Sequence, residues 1–579
     1  MKTIKIISND RKGLIENISG DFVILPAAPE KINTYIYPND IADRTNYIIE
    51  ISPDDNNPLN FNGVKIALHL YFKHLQEKKL FFFIRLIGFE SKADFFYDCE
   101  YSSFLKCPNV AYQQINLDFK INIPDDINLV DTEIAIDLLK KINIKPPTSH
   151  KTHHSISNEW AIYRWSQYLG IKTSLDTEIE KSLYFQYLKT VYQISDLKET
   201  QTFLVSEGNL LLIDDEEAKG WSDFFKKLKL PSLDLKIDSI GKDFKSLDSK
   251  DDIIAECENK IRDSEFKPHT IILDLRLHDS DFEEDDPTKL TGLKVLEKIK
   301  KEINPGIQVI LFTASNKVWN YQALNTIGFD GWITKESPEL SVDPTFTRKA
   351  LKDLKDQIDF CQKRASFLIN ISNELNSLKD IINKSNLFES EKGETRKKFF
   401  SNFDVTFDLL EKATQSKDFK KYFNYAYLQL FLCVEEFLKF KNIFKYGDKC
   451  YVNQNLKVAE KIDEKKWTSA IKYIEKKQNT PSHFIYQNDD QNNRLNPQQT
   501  DFKMSSVLIF FFNQVNSKFL NWPNIRDVRN RKAAHPEKAI VKKDEVLLLV
   551  NFLKYIFNSD NMKPSEQEEG LKDEEFQDS

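Results

Sequence analysis

Residues 209–221 read NLLLIDDEEAKGW, an apolar run that ends in two adjacent aspartates, Asp214 and Asp215. The apolar run is typical of a strand that is buried on both faces of a parallel sheet. Acids that served only solubility would be scattered along the surface. A pair of acids at the end of a buried strand instead indicates a site for a cation.

The segment from residue 207 to about 340 continues this α/β rhythm. The stretch GLKVLEKIKKEI predicts a helix over 292–303, and short apolar runs predict strands at 209–214, 270–275, 307–314 and 331–335. In a doubly wound sheet the carboxyl ends of the strands line one crevice. We therefore expect five strand-end residues to meet there: Asp214, Asp215, Asp274, Thr313 and Lys335.

Three carboxylates in one crevice repel one another unless a cation neutralises them. Oxygen ligands of this kind suit Mg²⁺, which often shares phosphate oxygens. The Thr313 hydroxyl and the Lys335 ammonium, opposite the metal, would hold the other oxygens of a phosphoryl group. The predicted chemistry is phosphoryl transfer to Asp274 as the nucleophile. The alternative is that these residues are ordinary strand-end acids on a solvated rim.

Residues 207–340 resemble the receiver domain of bacterial response regulators. The resemblance implies that Asp274 is the phosphoacceptor and that Thr313 and Lys335 sense the phosphate. It also implies that Asp215, assisted by Asp214, holds Mg²⁺ with Asp274 and the backbone carbonyl of Arg276, and that a sensor histidine kinase is the partner. The resemblance rests on these residues and stretches: Asp214-Asp215, Asp274, Thr313-Ala314, Lys335, GLKVL and GFDGWITKES.

The acidic loop after Asp274, RLHDSDFEEDDPTKLTG, departs from the receiver pattern because it is longer than usual. Its carboxylates could change metal access or kinase docking. The simpler interpretation is a solvated lid. Both interpretations are tested by whether the acids of the loop are exposed.

The first 125 residues resemble a degenerate receiver. Apolar runs predict strands at 3–8, 21–25, 46–52, 79–87 and 110–117, and helical spacing predicts a helix over 63–76. An internal alignment of the two α/β regions places Glu50 against Asp274 and Gly63 against Gly292. Glu50 thus replaces the phosphoacceptor, and Asn9 and Asp10 replace the acid pair. We expect this region to serve packing or partner binding.

The chain beyond residue 346 predicts helices only, to about residue 558. A heptad seam favours a homodimeric coiled coil or a bundle helix, and a helix packed within the monomer is the alternative. The seam comprises Leu351, Leu354, Ile358, Cys361, Ala365, Leu368, Ser372 and Leu375.

The stretch NIRDVRNRKAAHPEKA at 524–539 concentrates basic residues around Arg529 and His535. An arginine can hold a phosphate through two hydrogen bonds, and a histidine titrates near neutral pH. On a helix the two would lie within two turns. Together they could cleave RNA without a metal, with the histidine as general acid or base at the 2′-hydroxyl.

RNRKAAH resembles the spaced Arg–His motif of the HEPN superfamily, and the predicted helices at 422–440, 504–522 and 544–557 suit that superfamily's helical bundle. The resemblance implies that Arg529 and His535 are catalytic, that Asn530 supports them, and that the site forms at a homodimer interface with RNA as substrate. Two alternatives stay open: a HEPN-like domain that only binds, and an unrelated helical bundle.

Composition bounds the remaining possibilities. The 579 residues exceed one core and, at about 150 residues each, suggest three or four domains. The net charge of −7 gives no global positive field for nucleic acid. Six scattered cysteines favour a reducing compartment. The chain has no apolar run long enough for a signal peptide or a membrane span, so we expect a cytoplasmic protein with no membrane partner.

The predicted fold class is therefore multidomain α/β plus all-α, with two flavodoxin-like, receiver-like doubly wound sheets followed by a helical bundle. The predicted function is a response regulator, phosphorylated on Asp274, that controls a HEPN-like ribonuclease in stress or anti-phage defence. The alternatives are a non-catalytic, phosphorylation-dependent docking protein and a phosphoryl sink with no output. The predicted domains are 1–125, the helical connector 126–200, the receiver 205–345, the dimerisation helix 346–395, the effector 400–560 and the disordered tail 561–579.

Overall fold

The chain contains two compact units, residues 1–298 with 308–363 and residues 299–307 with 364–579. Asn9, Asp10, the predicted tail and most of the predicted helix at 504–522 lie outside the described residues. The structure, a computed structural model, describes residues 2–7, 20–24, 44–52, 61–115, 120–122, 124, 126–146, 153–171, 179, 181–194, 206–228, 234–284, 286–314, 328–384, 394–440, 443–446, 449–452, 471–474, 483–486, 504 and 521–558.

The first parallel sheet comes from the first 115 residues, and each of its strands overlaps a predicted one. Its spatial order is β2-β1-β3-β4-β5. The strands are β1 (Lys2–Ile7), β2 (Asp21–Ile24), β3 (Thr45–Glu50), β4 (Phe82–Gly88) and β5 (Val110–Gln114).

Helices of the first sheet and of the connector follow the apolar spacing of the sequence. Helix α1 buries its apolar face against Ile4, Tyr47 and Ile84 of the first sheet, and α3 and α5 add residues to the same cluster. The helices are α1 (Asn62–Gln76), α2 (Lys92–Asp98), α3 (Thr132–Leu139), α4 (His153–Leu169) and α5 (Leu183–Val191).

The second sheet is also parallel, in the order β10-β9-β8-β6-β7. Strands β8 and β9 are buried at every residue, as expected of strands covered on both faces. Strand β7 was not predicted, because it lies at the edge of the sheet and its residues do not form a continuous apolar run. The strands are β6 (Gly208–Ile213), β7 (Leu235–Ile240), β8 (Thr270–Leu273), β9 (Gln308–Thr313) and β10 (Gly331–Thr334).

Three short helices and the start of a long one accompany the second sheet: α6 (Trp221–Leu228), α7 (Lys250–Ile261), α8 (Thr291–Lys298) and α9 (Pro344–Lys384). One face of the sheet packs against α6, the start of α9 and also α4 of the connector. Trp160 and Trp165 of α4 belong to the same hydrophobic cluster as Leu212 and Phe312. The connector helix is thus part of the core of this sheet.

The heptad seam of α9 is buried within the chain. Its first half, with Leu354 and Ile358, belongs to the cluster on the second sheet. Leu368 and Leu375 belong to the cluster of the second unit. These residues are at most 3% exposed, so the monomer itself uses the surface that the heptad pattern offered to a coiled coil.

The second unit packs further helices around its own cluster, which includes Tyr427, Trp522 and Leu549. The predicted helices at 422–440 and 544–557 are confirmed. The helices are α10 (Glu394–Gln415), α11 (Tyr422–Phe440), α12 (Asn521–Val528) and α13 (Lys543–Phe557).

The expectation of helices alone beyond residue 346 is wrong. Two antiparallel hairpins follow α11, formed by β11 (Ile443–Tyr446) with β12 (Lys449–Val452) and by β13 (Ile471–Ile474) with β14 (His483–Tyr486). The sequence does carry a signal for the first hairpin: IFKY and KCYV are rich in residues that favour strands, and they flank a Gly-Asp pair. This signal was not used in the prediction. Among the described helices, none combines the length and apolar character needed to cross a membrane.

Candidate phosphoryl-acceptor site

Three carboxylates meet at the carboxyl ends of β6 and β8. Ile213 and Leu273 are register partners in these parallel strands, so the residues that follow them, Asp214 and Asp274, come side by side. Carboxylate oxygens of Asp214, Asp215 and Asp274 all lie within 4.8 Å of one another. The structure therefore brings together the three acids that the sequence predicted to share one crevice.

Lys335 follows β10 and reaches into the acid cluster. Its Nζ donates hydrogen bonds of 2.8 Å to Asp214 Oδ2 and to Asp274 Oδ2. The Lys335 side chain is 1% exposed and that of Asp214 is fully buried. Burial alone would lower the pKa of Lys335, but the charges and hydrogen bonds of the two aspartates raise it overall. The ammonium therefore stays charged.

One ammonium does not balance three carboxylates, of which Asp214 is fully buried and the other two are partly buried. Burial, together with the charge of the other acids, raises the pKa of Asp214 to about 6 and that of Asp215 to about 8. Lys245 lies 3.9 Å from Asp215, with half of its side chain in solvent. A divalent cation would lower the pKa of both aspartates and so offset the effects of burial and of the neighbouring acids, because it favours the charged form of each carboxylate.

The acid cluster opens into a cleft, in which Asp274 is 14% exposed. The backbone N–H of Arg276 donates to Asp274 Oδ1 at 3.3 Å. Thr313, at the end of β9, is buried at the cleft wall and is bonded through its backbone carbonyl to the Lys335 N–H. The cleft is lined by Ser155, Asn158, Asp215, Glu216, Asp274, Arg276, Phe282, Thr313, Ala314 and Lys335.

The acidic loop after Asp274 exposes Asp279 and Glu283, as expected of a solvated lid, but it is folded around one of its own carboxylates. Asp281 is fully buried and accepts hydrogen bonds from the N–H groups of Leu277 and Thr291. Lys250 Nζ lies 2.6 Å from the same carboxylate. Asp281 therefore fixes the path from the acceptor residue to the start of α8, and it is a positioning residue that the sequence did not single out.

The predicted effector residues lie on one short segment of the second unit. Arg529 begins a π-helical turn, Arg529–Ala533, and its Nη1 donates to Asn530 Oδ1 at 3.1 Å. His535 is half exposed, with its Nδ1 3.4 Å from Glu537 Oε1. In the described chain, hydrogen bonds link Arg529 with Asn530 but do not link either residue with His535.

A buried side-chain amide, that of Asn424, binds the backbone of the segment that contains His535. Asn424 of α11 donates from Nδ2 to the carbonyls of Lys532 and Ala539, both at 2.8 Å, and accepts from the Val541 N–H at 3.1 Å. These three contacts bracket His535 on both sides along the chain. No sequence signal marked Asn424, because its partners lie more than 100 residues away and are backbone atoms.

Comparison with known proteins gives little guidance. No protein-family profile matches the chain, and no curated protein matches it. A similar solved structure is described as a two-component system response regulator/GGDEF domain protein. The two chains are 8% identical, the match covers 61% of this chain and 100% of that one, and the TM-score is 0.16. Since a TM-score this low carries no argument, the proposals below depend on the geometry of the sites.

Proposed function

We propose that residues 206–342 form a receiver that accepts a phosphoryl group on Asp274 in the presence of Mg²⁺. The observation that carries the proposal is the convergence of Asp214, Asp215, Asp274 and Lys335 at the carboxyl edge of one parallel sheet. The strand order corresponds to the flavodoxin-like order, in which ligands bind at this edge. Three carboxylates provide the oxygen ligands that Mg²⁺ prefers.

Each residue has a chemical role in this proposal. A carboxylate oxygen of Asp274 attacks the phosphorus of the donor, and the bond to the leaving group breaks with the electron pair departing on that group. Asp214, Asp215 and Asp274, with the carbonyl of Arg276, would hold Mg²⁺, which would supply positive charge to the phosphoryl oxygens. Lys335 is already within hydrogen-bond distance of Asp274, and Thr313, which lines the same cleft, would supply a hydroxyl.

Phosphoryl incorporation into the full chain tests the proposal. Incubation with acetyl phosphate and Mg²⁺ is expected to add one phosphoryl group to the intact mass, and EDTA is expected to prevent it. Asp274→Asn should abolish the gain, and Asp215→Asn should require much more Mg²⁺. Asp279→Asn, which changes an exposed acid of the neighbouring loop, is the matched control and should leave the gain intact. Incorporation that persists in Asp274→Asn would overturn the assignment.

The donor in the cell is, on this proposal, the phosphohistidine of a sensor kinase. We infer the kinase from the receiver resemblance, since an aspartate acceptor of this kind takes its phosphoryl group from a histidine. A phosphoryl sink would show the same chemistry at Asp274 and no consequence for the second unit.

A second candidate function is RNA cleavage at Arg529 and His535. The observation that favours it is the π-helical turn at Arg529, a rare geometry that is frequent at functional sites. His535 would take the proton of a 2′-hydroxyl, whose oxygen attacks the phosphorus and breaks the bond to the 5′ oxygen. Arg529 would steady the charge on the phosphate. The HEPN resemblance adds a homodimer and a supporting role for Asn530.

Cleavage of total cellular RNA by the purified chain tests this candidate, with and without acetyl phosphate and Mg²⁺. A nuclease should lose cleavage in His535→Ala and Arg529→Ala but keep it in Lys538→Ala, a control that removes an exposed charge from the same segment. Absence of cleavage in every lane, with Asp274 still phosphorylated, would favour the non-catalytic docking protein instead.

A further inference from the structure

A helix from outside the second sheet forms part of the wall of the acceptor cleft. Ser155 and Asn158, in the first two turns of α4, line the cleft together with Asp274 and Arg276. These two residues precede the first strand of that sheet by about 50 residues in the sequence. The acceptor site is therefore bounded by two parts of the chain that the sequence treats as separate domains.

Asn158 fixes α4 on the metal side of the cleft. Its side chain is 3% exposed, and its Nδ2 donates to Glu216 Oε2. Its Oδ1 accepts from Trp221 Nε1 at 2.7 Å. The Glu216 N–H in turn donates to Asp214 Oδ1 at 2.8 Å. The amide of Asn158 thereby supports the turn that carries the acid pair.

A salt bridge strengthens the same contact. Lys219 Nζ lies 2.9 Å from Glu216 Oε1 and 3.0 Å from Glu159 Oε1, so it links the acid turn to α4. Glu159 directly follows Asn158 in α4. Asn158 contacts Glu216 and Glu159 contacts Lys219, and both partners belong to the segment that begins at Asp214. The first half of α4 and the acid turn thus form one connected polar network.

A second contact fixes α4 on the Lys335 side. Trp165 Nε1 donates to Glu336 Oε2 at 2.9 Å. Glu336 is fully buried, directly follows Lys335 in the chain, and also accepts from Thr347 Oγ1 at 2.9 Å. The helix is consequently held on both sides of the cleft, each time by a residue adjacent in sequence to a residue of the site.

We propose that α4 completes the phosphoacceptor site, with Asn158 as a positioning residue for the metal-binding turn and with Ser155 and Asn158 restricting which phosphodonors reach Asp274. This inference rests on the proposed receiver function. Removal of the Asn158 amide leaves the Glu216 carboxylate and the Trp221 N–H without their buried partner and opens space beside Asp274. The turn loses its support, and both water and larger donors gain access to the acceptor.

Mg²⁺ binding measures the positioning role without phosphoryl transfer. Tryptophan fluorescence should report it, because Lys335 Nζ lies 5.5 Å from the centre of the Trp221 ring. Asn158→Ala is expected to weaken Mg²⁺ affinity about tenfold, the usual consequence of losing a partner that orients a metal ligand. Ser157→Ala, on the same helix and outside the lining of the cleft, is the matched control and should bind Mg²⁺ as the wild type does.

Donor size measures the gating role. Acetyl phosphate and benzoyl phosphate share one chemistry but differ in bulk, so the ratio of their phosphorylation rates reports the width of the entrance. Wild type and Ser157→Ala should strongly favour acetyl phosphate. Ser155→Ala and Asn158→Ala should reduce that preference severalfold and should shorten the half-life of the phosphorylated protein.

The outcomes separate the two proposals. Unchanged Mg²⁺ affinity, donor preference and half-life in both variants, with a phosphorylated wild type, would overturn the role of α4 alone. A wild type that accepts no phosphoryl group would instead remove the proposed function. Ser155 is half-buried, and its change to alanine removes only a hydroxyl. If Asn158→Ala fails to fold, the donor preference of Ser155→Ala therefore still tests whether α4 restricts access to Asp274.

Discussion

The two parallel sheets share one strand order but differ in the residues at the carboxyl ends of their strands. Numbered within each sheet, both run 2-1-3-4-5, with every pairing parallel. Each sheet packs against its own large hydrophobic cluster. The shared order shows that the fold does not depend on the acid cluster.

A pair of glycines confirms the internal alignment. A Cβ added to Gly63 would lie 1.7 Å from the Glu50 carbonyl oxygen, and one added to Gly292 would lie 2.1 Å from that of Asp274. Each glycine sits where a helix starts against the end of the third strand in its sheet. The backbone approach is too close for any side chain, so both sheets retain glycine whether or not the strand end carries chemistry.

The ammonium and the hydroxyl of the second sheet, in contrast, have no counterparts at the matching positions of the first sheet. The bond from the Lys335 N–H to the Thr313 carbonyl corresponds to the bond from the Ile115 N–H to the Gly88 carbonyl. Isoleucine and glycine thus stand where the second sheet has its ammonium and its hydroxyl. The difference teaches that one packing scheme supports both sheets, whereas the cluster of three acids is found, among the described residues, at the second sheet.

The largest expected difference between the sheets is in phosphoryl acceptance. Glu50→Gln should leave incorporation from acetyl phosphate unchanged, whereas Asp274→Asn should eliminate it, because within the described part of the chain Asp274 is the strand-end acid that lies beside an acid pair and a lysine. Mass spectrometry of trapped peptides should locate the label at Asp274. Label at Glu50 would break the comparison and would make the first sheet an active receiver.

Loss of the buried lysine should come next. Lys335→Met is expected to cost about 3–5 kcal/mol in the free energy of unfolding, because it leaves the buried Asp214 carboxylate and the neighbouring Asp274 carboxylate without their cation. The matched change Ile115→Met should cost well under half of that. Chemical denaturation measures both. Mg²⁺ should restore part of the loss only in Lys335→Met, and equal losses in the two variants would contradict the assigned role of Lys335.

The two glycines should respond alike. Gly63→Ala and Gly292→Ala are each expected to cost roughly 1–3 kcal/mol, since the new methyl group must displace a neighbouring carbonyl. Thermal unfolding of the two variants measures this. Gly292→Ala should also slow phosphorylation, because the displaced carbonyl belongs to Asp274, and Gly63→Ala should not. A stabilised variant at either position would show that the close approach is not tight.

The last expected effect is a pH dependence contributed by His74, a buried histidine of the first α/β region. Burial lowers the pKa of His74 from 6.5 to about 4, although its bond to the Lys79 carbonyl and the charge of Glu77 act in the opposite direction. Tyr47 and Phe82 pack against the ring. The pKa of His74 is lower in the folded protein than in the unfolded chain. The contribution of the neutral His74 ring to the free energy of unfolding is therefore complete above pH 6.5 and is lost as the pH falls toward 4.

The loss attributable to His74 is about 2 kcal/mol at pH 5. Denaturant unfolding of wild type and His74→Gln between pH 7.5 and about pH 5 checks it, and the variant should show a shallower dependence. His69 is buried on the same helix and its pKa is lowered in the same direction, so some dependence should persist in the variant. Identical slopes for both proteins would assign the whole effect to other groups.

The sequence by itself determined nine of the ten strands in the two parallel sheets and the convergence of five strand-end residues at the candidate site. Strands buried on both faces are written as continuous apolar runs, and strand-end acids stand out directly after them. It failed at β7 and at the hairpins beyond α11, where short or alternating runs compete with the helical pattern of the surrounding chain.

Only the tertiary structure decided what surrounds the site. Asn158 meets Glu216 across 58 residues, and Asn424 meets the Ala539 carbonyl across 115, and neither pair has a spacing that a local pattern could reveal. The heptad pattern of α9 likewise favoured a dimer surface, whereas in the structure hydrophobic clusters of the same chain bury these residues. Periodicity tells which face of a helix is apolar, but the partner of that face depends on the packing of the whole chain.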